Sequence, residues 1–199
     1  MPEHLSDDTA SYEVTARTVV GEGRLHSLVR ETLEYEGTQL EREFIEHSGA
    51  VAVVALDDED RVLLIRQYRH PLRSREWELP AGLLDAVDEP RLHAAQRELV
   101  EETGMAAGEW SRLIDFAASP GGSTEVVSIF LARSLVHVAS DYVREGEEAD
   151  IETRWVPIAD VADAALSGQL RNGPLLVGIF AALAARAGNW ADLRPADSV

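Results

Sequence analysis

The chain contains no cysteine, which excludes disulfides and thiolate metal sites. It is poor in positive charge, with 18 Lys+Arg against 36 Asp+Glu and a formal net charge of −18. A field of that sign repels nucleic acid and anionic membranes, and leaves an anionic small substrate dependent on local cations. No apolar run reaches membrane-spanning length, and the opening Met1-Pro2-Glu3-His4 has neither the basic region nor the apolar run of a signal peptide. The expected setting is therefore the cytoplasm, with a small-molecule partner rather than nucleic acid or membrane. What is present is 199 residues at 45% hydrophobic content, enough for one medium domain or a main domain with a small accessory layer.

Tyr12 to about Phe44 reads as interrupted strands punctuated by Gly21, Gly23 and Gly37, hence a small antiparallel sheet. Ala50–Leu56 is a continuous apolar run, as in a strand buried on both faces. Asp57-Asp58-Glu59-Asp60 lacks the glycine and distal glutamate of a calcium loop, so it is read as a hairpin turn into the strand Val62–Tyr68. Further strands are expected at Trp77–Leu79, Ser111–Ala117, Val126–Leu131 and Ile151–Val156. Helices are expected at Pro90–Thr103, Ile158–Leu166 and Pro174–Arg186. The one boundary is near residues 45–49.

The most informative run is Arg97-Glu98-Leu99-Val100-Glu101-Glu102-Thr103-Gly104-Met105. A helix puts Glu98, Glu101 and Glu102 on one face, because i, i+3 and i+4 are surface neighbours. Such crowded carboxylates repel unless a cation bridges them, and hard oxygen donors suit Mg²⁺ or Mn²⁺. Gly104 suits a left-handed helix cap. Upstream, Leu79-Pro80-Ala81-Gly82 brings a tight strand exit toward the same place. Arg66, Arg69, Arg73 and Arg75 precede the acidic helix and read as a phosphate clamp beside a metal site.

The stretch Gly82…Glu89…Arg97–Met105 resembles the Nudix box: glycine, five residues, glutamate, seven residues, then Arg-Glu-aliphatic-x-Glu-Glu-x-Gly-aliphatic. Arg97 to Met105 matches throughout. Glu89 has the right spacing before Arg97, whereas counting from Gly82 would select Asp88, so the loop is one residue longer than usual. The resemblance implies an α+β fold: the Nudix α/β/α sandwich with a mixed central sheet, here residues 47–199. A small N-terminal antiparallel sheet over residues 1–46 would serve dimerisation with strand exchange. It further implies Glu98, Glu101, Glu102 and the Ala81 carbonyl as ligands of Mg²⁺ or Mn²⁺. Gly82, Glu89, Arg97 and Gly104 would be structural members of the motif, with Arg97 lying off the acidic stripe and bracing the loop through Glu89.

Three weaker features are similar to the ADP-ribose pyrophosphatase subgroup. Pro120, in Ser119-Pro120-Gly121-Gly122-Ser123-Thr124-Glu125, lies sixteen residues after Gly104. Gln67-Tyr68-Arg69 and Trp77-Glu78-Leu79-Pro80-Ala81-Gly82 match as well. The implied substrate-binding set is Arg69, Glu78, Pro120, Gly121 and Glu125. Arg42–Ile45 through Gly49–Val51 looks like the join between the two regions. The implied reaction is metal-dependent hydrolysis of ADP-ribose to AMP and ribose 5-phosphate. The general base is expected in the loop Gly146–Ile151, with Glu147 the first choice and Glu148 the second, beside the box residue Glu102. Another nucleotide sugar, NADH, or a non-catalytic ADP-ribose sensor are the alternatives, although the intact carboxylates favour catalysis.

Overall fold

In a computed structural model, residues 5–86, 88–139, 142, 146 and 149–198 are described. They divide into two compact units, Met1–His47 with Ser119–Thr124, and Ser48–Ala118 with Glu125–Val199.

The first unit is a three-stranded antiparallel meander of β1 (Val14–Glu22), β2 (Ser27–Tyr35) and β3 (Thr38–Glu46). Glu36 and Gly37 both have positive φ, as a two-residue hairpin turn requires. The third strand runs through Arg42–Ile45, which the sequence had suggested as a join. Pairing with β2 continues to Ser27↔Glu46, and that ladder keeps the segment extended. Residues 119–124 belong to this unit rather than to the chain around them. Ile45 N–H donates to Gly122 O at 2.9 Å, and Thr124 N–H to Ile45 O at 3.0 Å.

The second unit contains β4 (Ala50–Ala55), β5 (Arg61–Arg69), β6 (Ser74–Glu78), β7 (Ala81–Leu83), α1 (Arg91–Thr103), β8 (Met105–Ala117), β9 (Val126–His137), β10 (Glu152–Pro157), α2 (Ile158–Leu166), α3 (Gly173–Ala187) and β11 (Arg194–Pro195). A five-stranded sheet has the order β11-β8-β9-β4-β7, and a three-stranded sheet has the order β10-β5-β6. The larger sheet is mixed, because β4 and β9 are parallel while the other pairs are antiparallel.

Alternation along β4 fixes the layers. Val51, Val53 and Ala55 pack with Ala94, Ala95 and Leu99 of α1. Ala52, Val54 and Leu56 pack with Ile158 and Val161 of α2 and Leu175 and Ile179 of α3. The result is an α+β fold with helices on both faces of a mixed sheet, and it explains why β4 is apolar at every position.

Two elements differ from the sequence reading. The acidic turn forms, with Asp57 Oδ1 accepting from Glu59 N–H at 3.0 Å and Arg61 N–H at 2.8 Å. Yet β4 and β5 do not continue as a hairpin: they meet at the single bridge Leu56↔Val62 and then enter different sheets. The neighbours of β4 are β9 and β7, so β5 pairs with β6 and β10 instead. Strands β8 and β9 are also longer than expected. The weak local signal at Ala106-Ala107-Gly108 is overridden by pairing from Met105↔His137 to Ala117↔Val126.

Candidate active site

Helix α1 begins after Pro90, which sits outside the helix at the cap with φ −60° and ψ 140°. The helix ends at Gly104, whose φ of 69° is left-handed and whose N–H donates to Val100 O at 2.8 Å. Ala94, Ala95 and Leu99 hold one side of α1 in the core. The other side carries the carboxylates to the exit of β6 and the start of β7.

Glu102 is 4% exposed, and its Oε2 accepts from Ala81 N–H at 2.8 Å. Glu98 lies against Gly82 so closely that a Cβ there would sit 2.0 Å from Glu98 Oε1. A side chain at 82 would therefore displace the Glu98 carboxylate, and it is this contact rather than a turn that favours glycine. Arg97 Nε and Nη2 donate to the two oxygens of Glu89 at 3.1 and 2.9 Å. It is Glu89, not Asp88, that receives this fork, and the hydrogen bonds hold its carboxyl below the ordinary range. Arg97 is not confined to that brace. Its Nη1 also reaches Glu98 Oε1 at 2.7 Å and Glu101 Oε2 at 3.1 Å. A residue beside the stripe reaches it because the long side chain spans one helical turn, and the combined carboxylates hold the guanidinium firmly protonated.

A second polar group lies on one face of the β5–β6 pair. Arg69 Nε and Nη2 donate to Glu78 Oε1 and Oε2 at 2.8 and 2.6 Å, and the Glu78 side chain is 3% exposed. The two residues read from sequence as separate substrate contacts are thus a bidentate ion pair. Gln67, quoted from sequence only as part of the Gln67-Tyr68-Arg69 match, completes this face with Glu76 and Arg171, which the sequence reading did not single out. Gln67 Nε2 lies 3.5 Å from Glu78 Oε2, and Arg171 Nε donates to Glu76 Oε1 at 2.9 Å. The available signal was the alternation Ser74, Glu76, Glu78, which puts three polar residues on one face of a strand. Arg171 carried no such signal, because it arrives from 95 residues away.

The remaining candidates are dispersed. Pro120 and Gly121 are exposed and belong to the first unit, whereas Glu125 belongs to the second. Glu101 lines a hollow of ≈ 360 Å³ with Thr103, Gly104, His137 and Tyr142. Glu147 and Glu148 lie outside the described residues.

The NUDIX domain family matches residues 46–176. The chain belongs to the Nudix family. It is similar to an ADP-ribose pyrophosphatase of Mycobacterium tuberculosis, with 39% identity over 94% of this chain and 90% of the relative. It is also similar to an ADP-ribose pyrophosphatase of Bacillus subtilis, with 36% identity over 73% of this chain and 76% of the relative. A crystal structure of an ADP compounds hydrolase shares the fold at TM-score 0.77, with 24% identity, covering 92% of this chain and 98% of that one.

Nudix hydrolases generally require divalent metal ions. Among the described residues, no three Asp, Glu or His side chains are gathered at metal-ligand spacing. The donors nevertheless fit a hard cation. Glu102 is buried beside a backbone segment, Glu98 fills the cradle that a side chain at 82 would occupy, and all donors are oxygen. The Arg97 guanidinium bridges Glu98 and Glu101. No helix among the described residues is long and apolar enough to cross a membrane.

Proposed function

We propose that this Nudix hydrolase cleaves the pyrophosphate bond of ADP-ribose with water, giving AMP and ribose 5-phosphate. The observation that carries the reading is the placement of two box carboxylates of α1 at the strand exit, Glu102 accepting from Ala81 N–H and Glu98 lying against Gly82, with Glu101 on the same helix. The choice of substrate draws on the relatives named above.

Glu98, Glu101, Glu102 and the Ala81 carbonyl would hold Mg²⁺ or Mn²⁺. The ion, when bound, neutralises diphosphate charge and lowers the pKa of a water. Arg69, fixed by Glu78, presents a guanidinium to the diphosphate oxygens, an anion that the chain's overall charge would otherwise repel. Glu147 is the proposed general base, taking the proton of the attacking water, and Glu148 is the second choice. Pro120, Gly121 and Glu125 are proposed to shape the substrate site. The protein is proposed to act in the cytoplasm as a homodimer joined through β1–β3. The exposed apolar side chains Val14, Val19 and Val20 on that sheet support the dimer.

The test is a panel of ADP-ribose, GDP-mannose and NADH with Mg²⁺ or Mn²⁺, resolving the products by chromatography. Preferential release of AMP and ribose 5-phosphate from ADP-ribose is expected. Preference for another nucleotide sugar would replace the substrate, and binding without turnover would replace the enzyme with a sensor.

A further inference from the structure

Arg171, in the segment before α3, has no place in the box or in the Arg69–Glu78 pair, yet it is anchored as firmly as Arg69. Its Nε donates to Glu76 Oε1 at 2.9 Å and its Nη2 to Ser74 Oγ at 3.1 Å. Ser74 Oγ in turn donates to Glu76 Oε1 at 2.6 Å. The anchor is buried while the cation is not: the Glu76 side chain is 6% exposed and that of Arg171 65%. The neighbouring pair repeats the design, with Glu78 at 3% and Arg69 at 41%.

The two ion pairs are anchored on one face of the β5–β6 pair. Ser74, which holds Arg171, is the cross-strand partner of Arg69, and directly paired residues have Cβ atoms about 5 Å apart. The Arg69–Glu78 pair sits near the box, since only Leu79 and Pro80 separate Glu78 from Ala81, a span of at most about 11 Å. Arginine has five N–H donors in a planar fork. The edge of Arg171 facing the protein is committed to Glu76 and Ser74. Among the described residues, Nη1 meets no acceptor, and the side chain faces solvent.

Stability alone is a poor reason for this arrangement. A buried carboxylate paired with an arginine contributes little net stability compared with apolar residues of similar size. A largely exposed guanidinium gains little from its ion pair. Held from below and open above, it is preorganised to receive an anion. A guanidinium so held, on the same strand-pair face as Arg69, suits the phosphoryl oxygens of a diphosphate.

We propose that Arg171 is a substrate-binding residue of this active site, gripping the diphosphate of a nucleoside diphosphate sugar together with Arg69, and that Glu76 is the positioning residue that aims it. The proposal rests on the reading of the box site as a nucleoside diphosphate sugar hydrolase.

The test compares Arg171→Gln, Arg171→Lys and the double variant Glu76→Gln/Arg171→Gln. The readouts are kcat and KM for ADP-ribose, Kd for its α,β-methylene analogue by calorimetry, and melting temperature. Arg171→Gln should raise KM and the analogue Kd roughly tenfold to a hundredfold, the range of a lost charge-assisted contact, with a smaller change in kcat. Arg171→Lys should recover part of the affinity, because it keeps the charge but loses the fork. The double variant strands no carboxylate, so it should regain melting temperature without regaining affinity. Recovery of KM and Kd in the double variant would reduce Arg171 to a counter-ion of Glu76 and overturn the proposal. So would unchanged affinity in Arg171→Gln. A wild-type protein that neither binds the analogue nor hydrolyses ADP-ribose would overturn the functional reading as well.

Discussion

The backbone N–H of Ala81 donates to Glu102 Oε2 at 2.8 Å, which ties the exit of the β6 segment to the last turn of α1. This bond gives a buried carboxylate a donor and links the helix to the strand. Glutamine at 102 keeps the shape and an acceptor oxygen for Ala81 but loses the charge. Glu102→Gln should therefore melt within a few degrees of wild type while losing more than about a hundredfold in turnover, as expected for a direct ligand rather than an outer-shell residue. Calorimetry and initial rates on the same preparation check it. A variant with full turnover would remove Glu102 from the catalytic machinery.

Gly82 has a different relation to the helix. An added Cβ would meet Glu98 Oε1 at 2.0 Å and Cδ at 2.1 Å. Both atoms belong to the flexible end of a side chain, so the carboxylate would swing away rather than the backbone shift. Gly82→Ala should consequently fold with a near-normal melting temperature but lose activity through displacement of Glu98. Rates measured across a metal titration would detect it, because added metal should recover part of the loss. A large drop in melting temperature with activity retained per folded molecule would contradict this.

Acid sensitivity should arise at the Arg112–Asp115 pair. Burial pushes the Asp115 carboxyl up, but hydrogen bonds from Arg112, Ser128 and Arg194 more than offset it, leaving its pKa below the ordinary 3.8. A carboxyl depressed in the folded state contributes stability that is complete above its unfolded pKa. That contribution is lost as pH falls through the folded value. Asp115→Asn should be destabilised near neutral pH by on the order of 2–3 kcal/mol, since it strands an Arg112 side chain that is 11% exposed. Wild type and variant should converge as pH drops below 3.8. Denaturant melts between pH 7 and pH 2.5 would show this, and a constant gap over that interval would refute it.

What could be read from the sequence depended on whether the signal was local. The apolar run of β4 announced a strand covered on both faces, and the helical spacing of Glu98, Glu101 and Glu102 announced the helix that carries them. Gly104 marked the helix end for a reason confined to one residue, its left-handed φ. The beginning of β8 was not legible, because Ala106-Ala107-Gly108 has little strand preference and is held extended by β9. The assignment of Ser119–Thr124 to the N-terminal unit was equally hidden, since it rests on bonds to Ile45 across more than seventy residues. Arg171 meeting Glu76 is the same kind of fact. Pairings between distant segments are made by the fold, and neither partner carries a mark of the other.

The central claim is that the carboxylates of α1 hold a divalent ion that acts on a pyrophosphate. The most direct measurement is a Mn²⁺ titration followed by electron paramagnetic resonance, on wild type and Glu98→Gln, with parallel assays of AMP release from ADP-ribose. The account predicts that wild type binds Mn²⁺ and that AMP release rises with site occupancy. It further predicts that Glu98→Gln loses both together. Wild-type Mn²⁺ affinity and undiminished AMP release in Glu98→Gln would contradict it.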